Sequence, residues 1–194
     1  GAVQESLHVY INQGLLQTNQ KELSILEIGF GTGLNAYLTF GYAHRQNKSV
    51  NYYSLEKYPL TESEYSSLNY PESIFPEFAE IFQQMHLAKW NVATAISPEF
   101  TLQKVQADLL THQFDFVPQF DLVYYDAFAP SKQPEMWSDE ILGKVAATVK
   151  NNGILMTYCA KGSVRRAFAA AGFCMERIPG PVGKKEILRG KKSI

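Results

Sequence analysis

Apolar residues along the chain gather in short runs that end at glycine or at an acid, with longer amphipathic stretches between them. Ser24 to Ile28 is such a run and leads into glycines, and Leu34 to Tyr42 follows with helical spacing. The first readable unit is therefore strand, tight loop, helix. The β-rich run Val50 to Leu55 stops at Glu56, Thr101 to Ala107 alternates and stops at Asp108, and Phe120 to Tyr125 stops at Asp126. Between Leu60 and Leu87 the pattern turns helical, with Thr61 as a candidate N-cap and Pro71 and Pro76 as interruptions. Met136 to Val149 reads as a helix, Gly153 to Tyr158 as a buried strand, and Gly162 to Ala171 as a helix with Gly172 just past its end. Phe173 to Ile178 and Glu186 to Leu188 flank Pro179-Gly180-Pro181 as a hairpin around a broad turn.

Strands alternating with helices predict an α/β fold: a mostly parallel sheet covered on both faces, with ligands at the carboxyl ends of the strands. The closing hairpin adds an antiparallel strand. A length of 194 residues, without repeats, low-complexity stretches or a linker, fits a single domain over residues 1–194. No apolar run approaches the roughly 18 residues a membrane helix needs, and no signal sequence opens the chain, so a cytoplasmic protein that makes no use of a membrane is expected. Cys159 and Cys174 sit in apolar sequence without Cys-x-x-Cys spacing, and His8, His44, His86 and His112 are far apart. Neither a disulfide framework nor a metal site is predicted.

Charge changes the picture. The formal net charge is −1, yet the residues from Lys161 onward carry +7 and the preceding 160 carry −8. Clustered cations gain more from a polyanion than scattered ones, which points to an anionic partner.

Leu26-Glu27-Ile28-Gly29-Phe30-Gly31-Thr32-Gly33-Leu34 places G-x-G-x-G directly after a strand, where the chain must turn sharply and let a ligand approach the backbone. A dinucleotide fingerprint would need a third glycine where Leu34 stands, and the Lys-Ser/Thr of a phosphate loop is missing. S-adenosylmethionine, which has no phosphate to seat, fits an acidic loop better. Glu56 lies 23 residues after Gly33, where a second strand offers a carboxylate to ribose hydroxyls, and Asp108 follows as a partner for the adenine amino group. The candidate cofactor residues are Glu27, Gly29, Phe30, Gly31, Gly33, Asn35, Glu56, Lys57 and Asp108.

Asp126 brings a fourth-strand carboxylate to the sheet edge beside Pro130 and Pro134, and Phe128 and Trp137 are expected as flat walls. One acid among aromatic walls suits an amine-bearing planar substrate. A carboxylate there accepts a proton and stabilises the ammonium formed when an amine is methylated.

The segments LEIGFGTGLN (26–35), YSLEKYPL (53–60), FDLVYYDAFAPSKQPEMW (120–137) and TYCAKGSVRRAFAAAGF (157–173) closely resemble the bacterial tRNA 5-aminomethyl-2-thiouridine methyltransferase family. The resemblance implies a class I S-adenosylmethionine-dependent methyltransferase fold, Rossmann-like, with a mostly parallel seven-stranded sheet and an antiparallel last strand. It also implies N-methylation of 5-aminomethyl-2-thiouridine at the tRNA wobble position, with Asp126 as the catalytic carboxylate. A separate enzyme would then supply the aminomethyl group, because the chain looks like the free-standing form of a domain that many relatives fuse to an oxidase. The anticodon stem-loop becomes the expected partner. Phe128, Pro130, Lys132 and Trp137 would meet the wobble base, and Lys161, Arg165, Arg166, Lys184 and Lys185 the backbone. Arg165 and Arg166 are adjacent and cannot face one way on a helix.

Two other readings remain open at this point. A polyamine aminopropyltransferase resembles Asp-x-x-Asp at this place, whereas Ala127, Phe128 and Ala129 follow Asp126. A non-catalytic nucleoside- or RNA-binding module would need no carboxylate at the transfer point.

Overall fold

The computed structural model describes residues 1–114 and 119–194. An opening helix α1 (Ala2–Ser6) continues through a π-helical stretch (Leu7–Asn12) into β1 (Glu22–Ile28), α2 (Leu34–Arg45) and β2 (Ser49–Glu56). Three short helices, α3 (Glu62–Tyr65), α4 (Tyr70–Ile74) and α5 (Ala79–Leu87), fill the stretch read as helical. They are separate helices because Pro71 starts α4 and Pro76 opens a short 3-10 turn before α5, while Thr61 and Glu64 form a capping box on α3. Then come β3 (Ala93–Ser97), β4 (Phe100–Gln106), β5 (Phe120–Tyr125), α6 (Asp139–Ala146), β6 (Val149–Thr157), α7 (Gly162–Ala170), β7 (Phe173–Pro179) and β8 (Glu186–Lys192).

The sheet runs β3-β4-β2-β1-β5-β6-β8-β7. The five strands from β4 to β6 are mutually parallel, and β8 is antiparallel to both neighbours, as the closing hairpin predicts. The count is eight rather than seven. The additional strand, β3, pairs antiparallel with β4 at the sheet edge, and most of its side chains stay at least partly exposed, so its sequence lacks a buried strand's apolar run. The helix expected from Met136 begins only at Asp139, where Ser138 caps it through a bond from the Ile141 N–H, and Val149 already belongs to β6.

Alternation along the central strands feeds two cores. Leu23 and Ile25 of β1 with Leu122 and Tyr124 of β5 face one side; Leu26, Ile28, Val123 and Tyr125 face the other. Strand order reverses between β1 and β5, which opens a crevice beyond their carboxyl ends. Of the two cysteines, Cys159 is buried but Cys174 is exposed, because it alternates outward on β7.

Candidate active site

The loop after β1 and the residue after β5 meet in that crevice. Asp126 N–H donates to the Ile28 carbonyl at 3.1 Å, and a Cβ on Gly29, whose φ is +95°, would lie 3.0 Å from the Asp126 carbonyl oxygen. Only glycine permits this backbone-to-backbone approach. Gly31, at φ +51°, borders a cavity of about 320 Å³ with open space where a side chain would project.

One wall of the cavity is acidic. The Glu56 carboxylate accepts from the N–H groups of Gly31 (2.9 Å) and Tyr58 (2.7 Å), tying the end of β2 to the glycine loop. Asp108 pairs with Lys57 at 2.8 Å and also accepts from the Leu110 N–H; the hydrogen bond from Lys57 is the main reason its carboxyl titrates below the usual range. Glu56, Lys57, Asp108, Gly29, Phe30 and Gly31 all border the cavity.

In the same cavity Asp126 Oδ1 accepts from the Tyr10 hydroxyl at 2.7 Å and Oδ2 from the Asn35 amide at 2.9 Å. Burial raises the Asp126 carboxyl to about 6, against the lowering effect of these two donors. Phe128 stands 62% exposed at the rim.

Several expected contacts are placed elsewhere. Glu27 alternates onto the α2 side of β1, is 0% exposed, lies beneath the loop and does not border the cavity. Asn35 does border it, but its amide is committed to Asp126. Gly33 turns toward His86, whose Nε2 would lie 3.0 Å from an added Cβ and which hydrogen-bonds the Thr32 carbonyl. Trp137 is not a wall: it is 8% exposed, packs edge-on against Tyr125 and donates its indole N–H to the Phe128 carbonyl at 2.8 Å. Pro130 and Lys132 lie on the following turn outside the cavity, where Gln133 and Met136 take the places expected of them.

Among the basic residues, Lys161, Arg166 and Lys185 are exposed and Arg165 is half-buried with its Nε enclosed. Lys184 leans over the Tyr158 ring at 4.4 Å and pairs with Glu5 at 3.3 Å, so its charge is partly answered within the protein. Sequence reasoning missed Tyr10 and Glu5. Both lie in the opening helical segment, where helical spacing and an aromatic among apolar residues were the available signal.

A glycine loop against a strand-end carboxylate, at the switch point of a sheet with an antiparallel penultimate neighbour, defines the class I methyltransferase fold. A profile described as S-adenosyl-L-methionine-dependent methyltransferase matches residues 75–193, and the chain belongs to that family. It is 31% identical, over 98% of its length, to the tRNA 5-methylaminomethyl-2-thiouridine biosynthesis bifunctional protein MnmC of Leptospira borgpetersenii, and 32% identical over 97% to that of Pseudomonas syringae. The chain spans only about three-tenths of the length of these relatives, 31% and 30% respectively. Its fold is similar to the crystal structure of MNMC2 from Aquifex aeolicus, with a TM-score of 0.78 at 23% identity over 99% of this chain and 61% of that one. The antibiotic-resistance methyltransferase Kmr is more distant, with a TM-score of 0.53 at 12% identity over 88% of this chain and 87% of that one. S-adenosylmethionine is the family's cofactor, and the glycine cradle with its free space at Gly31 beside Glu56 and Asp108 fits it. No helix among the described residues is long and apolar enough to cross a membrane.

Proposed function

We propose that this chain methylates the primary amine of 5-aminomethyl-2-thiouridine at the wobble position of tRNA, giving the methylamino form. The observation that carries the reading is the Asp126 carboxylate, held by Tyr10 and Asn35 in the wall of the cavity that Glu56 and Asp108 also border. The name of the relatives supports the substrate.

When bound, S-adenosylmethionine supplies an electrophilic methyl group on a sulfonium. The amine attacks only when neutral, and if it titrates near 10.4 this costs about 4 to 5 kcal/mol at pH 7. Asp126, ionised at pH 7, takes the proton the amine must lose. Burial makes this easier: raising the carboxyl from 3.8 to about 6 shortens the uphill transfer by about 2 pH units, roughly 3 kcal/mol. Once that proton has passed on to solvent, or where the amine arrives already neutral, the carboxylate is an anion and stabilises the ammonium that would form as the N–C bond closes and the S–C bond of the sulfonium breaks to leave a neutral thioether. Because an anion also favours the protonated amine in the ground state, positioning by the cavity contributes at least as much as proton transfer.

Phe128 at the rim offers a face on which a splayed base stacks, and the exposed Lys161, Arg166 and Lys185 offer charge to the phosphates of the anticodon stem-loop. A separate enzyme activity installs the aminomethyl group, and the work is done in the cytoplasm, where tRNA is modified.

The test is incubation with labelled S-adenosylmethionine and tRNA that lacks the last methyl group, followed by nucleoside analysis. Label in the methylaminomethyl nucleoside is the expected result. Label only in an added polyamine, or none in tRNA, overturns the reading.

A further inference from the structure

On the α2 face of the sheet, at the carboxyl ends of β1 and β2, a polar island interrupts the core. Glu27 and Ser54 are fully buried, with Tyr52 and Tyr124 beside them. Ser54 Oγ donates to Glu27 Oε2 at 2.6 Å, and Asn35 and Tyr52 come close to the same carboxyl. Yet Glu27 Oε1, Asn35 Oδ1 and the Tyr52 hydroxyl are each buried without a hydrogen-bond partner among the described residues. The first two are acceptors when Glu27 is ionised, and of the three atoms only the Tyr52 hydroxyl brings a proton. The Asn35 NH2 is turned to Asp126. That bond uses one of the two amide protons, and among the three partnerless atoms two acceptors meet a single hydroxyl proton.

Charge leads to the same place. The titratable groups facing Glu27 are Tyr52, Tyr124 and Asp126, none of them cationic. Of the two buried carboxylates only Asp126 feels a cation, Lys184, and a further acid, Glu5, outweighs it; with none acting on Glu27, the two do not both stay ionised. Asp126 has two donors within hydrogen-bond distance and borders the cavity, whereas Glu27 has only Ser54 at that distance, with Asn35 and Tyr52 farther off, and is fully buried, so the proton belongs on Glu27.

We propose that Glu27 is a positioning residue that works as a neutral carboxylic acid: its proton completes the hydrogen bonds of the island, leaves Asp126 as the ionised member of the pair and keeps the Asn35 NH2 turned toward it. The part that concerns Asp126 rests on the function proposed above. In agreement, burial lifts Glu27 to about 8, above Asp126 at about 6, so the pair carries one proton between these values. Above them a second anion draws the Asn35 NH2 away from Asp126.

The location of the proton is read without any reaction, from infrared difference spectra of the chain against Glu27→Gln at pH 7. A protonated-carboxyl carbonyl band present in wild type and lost in the variant is expected; its absence overturns the proposal even if tRNA is methylated as described. The positioning role is read from kcat. Glu27→Leu lacks the donor and is expected to fall at least tenfold, and Glu27→Gln, whose amide supplies one, to restore most of that loss. The ratio of wild-type to Glu27→Gln rates, which cancels the titration of the substrate amine, is expected to be flat to about pH 7 and to fall above about 8. A Glu27→Gln enzyme that is folded but as slow as Glu27→Leu, or a ratio flat throughout, overturns that role. A wild type that methylates no tRNA at any pH sinks the proposed function instead, with the infrared band still deciding the proton.

Discussion

The hydroxyl of Tyr10 lies 2.7 Å from Oδ1 of Asp126, across 116 residues of sequence. Tyr10 is almost wholly buried, and that burial, followed by the charge of Asp126, pushes its phenol well above 10, so it donates at neutral pH. The opening helical segment is thereby part of the site wall. Hydrogen bonds to a charged acceptor contribute about 1.5 to 3 kcal/mol. Tyr10→Phe removes one that favours the carboxylate, so the Asp126 carboxyl rises further above 6 and the acid limb of the kcat profile moves to higher pH. A profile whose acid limb stays in place would show that the bond has no influence on the carboxylate.

Asp126→Asn keeps the shape and both neighbours but not the charge. We expect affinity for S-adenosylmethionine, measured by calorimetry, to stay within a few-fold while methyl transfer falls roughly 10²- to 10³-fold, the range for loss of a positioned base. Turnover near that of wild type would remove Asp126 from the chemistry.

Stability reports on Glu27 separately from catalysis. Its folded-state value of about 8 exceeds the ordinary 4.5, so the native state holds a proton that the unfolded chain releases across this window. Stability from this group is complete below about pH 4.5 and is lost as pH rises toward 8, by about 1.4 kcal/mol per unit. Denaturant titrations of wild type and Glu27→Gln from pH 5 to 8 should therefore diverge in favour of the variant as pH rises. Parallel curves would place no proton on Glu27.

Salt dependence separates the cations. Lys184 is engaged by Glu5 and Tyr158, whereas Lys161, Arg166 and Lys185 are exposed. The triple variant Lys161→Ala, Arg166→Ala, Lys185→Ala is expected to weaken tRNA binding and to reduce the slope of log K against log salt by about 0.7 to 0.9 for each phosphate no longer neutralised. Lys184→Ala should change that slope less. Equal slopes for wild type and the triple variant would leave these residues as ordinary surface.

The unit from β1 through the glycines to α2, and the acids Glu56, Asp108 and Asp126 at successive strand ends, were legible because local pattern dictates them: apolar runs stop where the sheet meets the cavity. Trp137 was misjudged because an aromatic among polar neighbours has the same local signature at a cavity wall as over a buried Tyr125. Glu27 was misjudged because burial of an acid depends on alternation, which turned it to the α2 side while Ile28 faced the other core. β3 escaped notice as a half-exposed edge, and Tyr10 because nothing local tells where a helix from the start of the chain will dock.

Chain order and spatial order differ at one edge of the sheet: β8 is made after β7 yet lies between it and β6, and β7 pairs with β8 alone. β8 is thus the sole tie between β7 and the rest of the sheet, so a substitution that unseats β8 from β6 takes two strands off the edge at once.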